Sequence, residues 1–212
     1  MRTRIVAPAV LVVWVIAGYG CSGDKKKSVD TEEGVLAAYQ NFEPTILKIT
    51  SAGLAAKGTA TQGANIPVIQ LVGLVNGTGG VGGSVAQSSG LNENLNLWVE
   101  LNGYSDTGDV DFQTDNTSEA TKLQFDLQIK NQPDDNTMDG TLDGELTLSG
   151  DVDGAGIFAL ATASDLDDDN LAPALICTHV TGTVTASGED LDVDFVLPLG
   201  LDSALNAACA AL

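Results

Sequence analysis

The sequence predicts a mostly β (α+β) fold: an antiparallel meander curled into a barrel or half-barrel, with N-terminal helices and a short C-terminal helix. Three observations carry this prediction. Apolar and polar residues alternate strictly in five separate stretches from residue 95 onward, the signature of strands with one dry and one wet face. Asp/Gly-rich segments lie between those stretches and supply turn chemistry. A stripe of apolar residues at spacings of three and four precedes them, as an amphipathic helix requires. A β-sandwich is the alternative that the same pattern allows.

In chain order, the helical region comes first, over about 30–57. Asp30 stands where a cap is needed and Glu33 follows three residues later, a variant of the capping box. Val35, Tyr39, Phe42, Ile46 and Ile49 form the stripe, widened by Leu36 and Leu47. Pro44 lacks an amide hydrogen and is expected to split or kink this region. "SAGLAAKGTATQGAN" ends it with Gly and small polar residues. "IPVIQLVGLV" is apolar on both parities and reads as either a buried strand or a helix.

The alternating sets follow. Leu95, Leu97, Val99 and Leu101 form the first, and Leu123, Phe125, Leu127 and Ile129 the second. Leu142, Leu146, Leu148 and Val152 make the third, with Val180 and Val184 as the fourth. Leu191, Val193, Phe195 and Leu197 complete them. With intervening segments this suggests roughly seven or eight strands. Consecutive strands joined by short turns pair as neighbours, which favours one curled sheet over two. "LDSALNAACAAL" suits a closing helix capped by Asp202.

Before this domain lies a different kind of segment. Met1-Arg2-Thr3-Arg4 is basic, Ile5–Ala17 is apolar apart from Pro8, and Gly20-Cys21 follows a short break. The apolar run falls short of the ~20 residues needed to span a bilayer. Basic start, apolar middle and small residues before a cut site mark a secretory signal peptide over residues 1–20. An uncleaved N-terminal anchor is the alternative. Residues 1–22 resemble the signal of a bacterial lipoprotein. That resemblance implies cleavage before Cys21, acylation of Cys21 (a palmitate-type anchor) and attachment to the cell envelope. Gly20 matches the small residue expected before the cut, whereas Gly18 stands where a Leu-like residue is usual and Tyr19 is bulky. Ser22 in the second mature position implies the outer membrane by the enterobacterial sorting rule. Residues 21–29 then form a lipidated tether, in which Lys25, Lys26 and Lys27 lie near lipid headgroups. Residues 30–212 form a single β-rich domain.

Cysteine usage fits an exported chain. With Cys21 acylated, Cys177 and Cys209 remain, and disulfides persist outside the cytoplasm. A Cys177–Cys209 bridge would close a loop of roughly 32 residues, worth about 3–4 kcal/mol in the chain-entropy model. Two buried free thiols are the alternative.

Charge removes whole classes of function. Arg2 and Arg4 leave with the signal, so the mature chain holds twenty-nine acids against seven lysines, a formal side-chain charge of −22. Nucleic acid is excluded as a partner, since its binding rests on Lys and Arg neutralising phosphates. Gly77-Thr78-Gly79-Gly80-Val81-Gly82 matches G-x-G-x-x-G, but "SVAQSSGLNEN" behind it is too broken for the helix a dinucleotide site needs. A loose hairpin or bulged connection, or a mobile lip, is expected there.

Asp165, Asp167 and Asp169 begin a D-x-D-x-D calcium loop, yet Asn170 and Ile176 stand where an EF-hand needs Gly and Glu. Adventitious calcium binding at millimolar levels is the most these acids offer, and no cofactor is expected. His179, the only histidine, shares parity with Thr181 and Thr183 and is expected on the wet face. No catalytic motif is found and no enzyme is expected; an acid-dependent hydrolase ranks third among the readings. The first two are nearly equal: an anchored lipoprotein holding an apolar or lipid ligand in its curved sheet, or a structural or interaction lipoprotein with a filled core and an envelope protein partner. Interior volume separates them.

Overall fold

A computed structural model describes residues 26–89, 91–132, 135–166 and 177–198. The strands are β1 (Lys27–Ser28), β2 (Asn65–Val72), β3 (Asn76–Ser88), β4 (Asn92–Ser105) and β5 (Val110–Thr114), then β6 (Leu123–Gln132), β7 (Asp135–Gly150), β8 (Val152–Asp165), β9 (Cys177–Ala186) and β10 (Glu189–Pro198). One helix, α1 (Glu32–Lys57), lies between β1 and β2. All ten strands belong to one sheet, in the order β10-β9-β8-β7-β5-β4-β3-β2. Every pairing is antiparallel except the two-residue β1, which runs parallel to the start of β8. β5 and β6 share one place between the long strands β4 and β7. β6 pairs with Asn92–Val99 and β5 with Tyr104 on the β4 side. The sheet is therefore a meander in a single layer, and the sandwich alternative is not adopted.

The sheet curls because its two edges close on the same helix. α1 touches β2 at one edge, β10 at the other, and β1, β3, β4 and β8 between them. The buried stripe of α1 is the one the spacing predicts: Val35, Tyr39, Phe42, Ile46 and Ile49. Tyr39 meets Phe195 of β10 edge to face, with ring centroids 5.6 Å apart, and Phe42 meets Phe112 of β5 at 4.9 Å. Gly53 lets the helix sit close to β4, since a Cβ there would fall 2.9 Å from a methyl of Leu97.

The helix differs from its sequence reading in two respects. Its cap is Thr31, whose hydroxyl accepts from the Gly34 amide at 3.1 Å, rather than Asp30. Pro44 does not split it: of the two outcomes expected there, a split or a kink, the split is not adopted and one helix runs from Glu32 to Lys57. A mid-helix proline costs about 3 kcal/mol. Burial of Phe42, Thr45 and Ile46 on either side of it offsets that cost.

The Gly77–Gly82 run is also corrected. It is not a lip but the first half of β3, with Thr78, Gly79, Gly80 and Val81 paired to both β2 and β4 and register slips at Gly77 and Gly82. Small residues are needed there because the ring of Trp98 lies across it. A Cβ on Gly82 would fall 2.5 Å from the indole. The ammonium of Lys122 covers the ring at 3.8 Å and pairs with Glu100 at 2.8 Å.

The meander gives the sheet two unlike ends. The turns β2–β3, β4–β5, β7–β8 and β9–β10 gather at one end together with β1, which is called the tether end below. At the other, far end lie the β3–β4 turn, the start of β7 and the last residues of β8 and β10.

Candidate functional site

The inside of the curve is packed around α1, whose stripe residues Val35, Tyr39, Phe42, Ile46 and Ile49 are buried. The gap bordered by Tyr39, Phe42, Phe112 and Phe158 is about 10 Å³, at the lower limit for one water. An open space of about 490 Å³ lies instead on the outer, wet face toward the far end.

This trough is built by strand register. One row of outward residues runs across the sheet as Asn96, Asp126, Thr141, Ala161, Thr181 and Asp194. The next row is Asn94, Gln128, Asp139, Ala163 and His179. Ala161 and Ala163 make the floor, because β8 places methyl groups where its neighbours carry longer side chains. The walls carry carboxamides, hydroxyls and two carboxylates, and among the described residues no lysine lines the trough. Partial burial raises the carboxyl of Asp126 above its ordinary value. His179 lies on the wet face as expected, its Nε2 2.7 Å from Oδ1 of Asp194. Thr183 and Thr185 donate to Asp192 and Asp190 in the same ladder between β9 and β10.

A second polar cluster holds the tether end. Asp106, only 8 % exposed, accepts four bonds: from Lys48 Nζ, the Thr45 hydroxyl at 3.2 Å, the Tyr104 hydroxyl at 3.2 Å and the Leu74 amide at 2.9 Å. Desolvation pulls the Lys48 amine down, but its bonds to Asp106 and Tyr104 outweigh this and hold it above its ordinary value. Burial, only partly offset by the Lys48 bond, raises the Tyr104 hydroxyl. Every partner is satisfied within the cluster, so its chemistry is that of a fastener joining α1, β4 and the β2–β3 turn.

The sites expected from sequence are only partly in view. Cys21 and the signal segment, Cys209, Asp167, Asp169 and the C-terminal helix lie outside the described residues. Cys177 opens β9 and is disulfide-bonded. Asp165 closes β8. Among the described residues no cluster of three or more His, Cys, Asp or Glu is placed to hold a metal, and no helix is long and apolar enough to cross a membrane.

Sequence reading missed both Asp106 and the trough. "YSDTGDV" looks like an ordinary acidic turn. The available signal was Lys48, a lone cation beside the apolar stripe of α1. Fold and surface define a helix-plugged, curled antiparallel sheet with a polar trough on its outer face. No protein-family model matches the chain, and comparison with curated proteins and with solved structures found no match.

Proposed function

We propose that this protein is an exported lipoprotein, anchored to the cell envelope (the outer membrane) through acylated Cys21, which works without catalysis by holding an envelope protein partner in the outer trough. One observation carries the reading. The gap between α1 and the sheet at Tyr39, Phe42, Phe112 and Phe158 is about 10 Å³, while about 490 Å³ stands open outside. An apolar ligand within the sheet would have to displace α1 and the aromatic contacts of Tyr39 and Phe42, so the interaction reading is preferred over lipid carriage. The trough's chemistry selects the partner. Carboxylates without a lining lysine, among hydroxyls and carboxamides, suit a polar segment bearing Lys or Arg.

Photo-cross-linking in cells tests this. A photoreactive residue replacing Thr141 or Thr181 is expected to give a discrete protein adduct, and one replacing Asp111, outside the trough, to give none. Absence of adducts from both trough positions overturns the reading. Mass analysis of the N-terminal peptide tests the anchor separately: a diacylglyceryl-modified Cys21 is expected, and an unmodified one overturns anchoring.

A further inference from the structure

The tether end carries an apolar tip. Val72, Leu74 and Val75, at the β2–β3 turn, are 68, 76 and 63 % exposed. Three large apolar side chains on one turn are costly to leave in water, at roughly 25 cal/mol per Å². They are not on a loose loop. The Leu74 amide is bound by Asp106, the Val72 carbonyl accepts from Lys48 at 3.3 Å, and the Val75 amide donates to the Ser105 carbonyl at 3.1 Å. Val75 rests on Gly108, where a Cβ would come within 3.3 Å of its methyl. A buried carboxylate, Asp106, paired with the partly exposed Lys48, thus holds apolar residues outward in fixed positions.

The same end is where the chain leaves toward Cys21. From the tip, contacts run through Gly108 to Asp109, whose carbonyl accepts from the Asp151 amide. The Asp151 carbonyl in turn accepts from Lys27. Five strand spacings along the sheet separate β3, into which the tip leads, from β1, about 24 Å at ~4.8 Å each. Between Cys21 and Lys26 the chain reaches at most about 17 Å. A lipid on Cys21 would therefore bring the tether end, tip included, within reach of the membrane surface.

We infer that Val72, Leu74 and Val75 insert into the interfacial region of the bilayer as a second contact beside the lipid anchor. This rests on the anchoring proposed above. A bilayer is favoured over a second copy of the chain because β2 offers a poor pairing edge. Pro67 supplies no amide donor, and the register of β2 slips between Ile66 and Ile69. Two strongly acidic chains would also repel one another. The carboxylates at this end, Asp109, Asp151 and Asp153, favour zwitterionic over anionic headgroups; Lys26 pairs with Asp153 at 3.8 Å and Lys27 with Glu33 at 3.3 Å.

The test uses the full lipoprotein purified from its host and reconstituted in phosphatidylcholine vesicles containing brominated lipid. An environment-sensitive fluorescent amino acid replaces Leu74 in one preparation and Ser89, exposed at the far end, in another. The expected result is blue-shifted emission at position 74, quenched by the brominated lipid and protected from iodide, with the reverse at position 89. Two results overturn the inference: a probe at position 74 open to iodide, or one shielded from both quenchers, which would mean protein covers the tip. The mass of the N-terminal peptide from the same preparations reports the acylation of Cys21, so failure of the anchor and failure of the tip are told apart.

Discussion

The two ends of this sheet handle charge and apolar surface in opposite ways. At the tether end a carboxylate, Asp106, is buried and fully bonded while Val72, Leu74 and Val75 face outward. At the far end the carboxylates of Asp126 and Asp139 line an open trough over a floor of alanines. A single sheet of alternating strands allows this because its inner face is satisfied by one helix, which leaves the outer face and the turns free to differ. The comparison teaches where the fold's stability resides: in the plug and the fastener, not in the trough.

The largest effect should come from the plug, which serves both ends. Phe42→Ala removes the contact with Phe112 and is expected to destabilise by about 3–5 kcal/mol, read from urea unfolding. A loss below 1 kcal/mol would show that the sheet stands without α1. Asp106→Ala comes next. It strands the hydroxyls of Thr45 and Tyr104 and the Leu74 amide, and strips Lys48 of its partner. Removing one member of a buried pair costs ~3–5 kcal/mol, and the partial exposure of Lys48 puts this case near the lower figure. A variant as stable as the parent would dissolve the distinction between the ends.

Smaller changes sharpen it. Gly82→Val forces Trp98 off β3 and should cost about 1–3 kcal/mol, with a change in indole fluorescence as the direct readout. Asp126→Asn, in the trough, is expected to act in the opposite direction. Burial raises this carboxyl above its ordinary 3.8, so the folded state holds its proton more tightly, and stability falls as pH climbs through that window. The amide removes the penalty. A gain below about 1 kcal/mol at neutral pH, vanishing under pH 3.8, is the expected outcome in thermal melts. A loss of stability at neutral pH would mean that the trough is structural after all.

How much of this was legible in the sequence follows from which faces are wet. β4, β6, β7, β9 and β10 declare themselves because Leu, Val and Phe alternate with Asn, Asp, Gln and Thr. β8 does not, since Ala155, Ala159, Ala161 and Ala163 stand on its outer face and erase the contrast. β3 is hidden by its glycines, whose reason, the Trp98 ring, comes from the neighbouring strand. The stripe of α1 was readable because burial follows the helical period, whereas continuity through Pro44 is a tertiary effect. The trough was beyond reach for a related cause. Alternation tells that Asn96, Asp126 and Thr181 face outward, but only the register sets them in one row. Asp106 needed the same information, because its partners are dispersed from Thr45 to Tyr104.

The parallel pairing of β1 has a mechanical consequence. Any pull on the N-terminal chain reaches the protein first at Lys27 and Val29, whose amides are bonded to the carbonyls of Asp151 and Asp153. Behind them the load passes into α1, which the sheet encloses from edge to edge, and not into a terminal strand that could be peeled away. Tension on that chain is therefore shared among the six strands that α1 touches, and the trough keeps its shape under load.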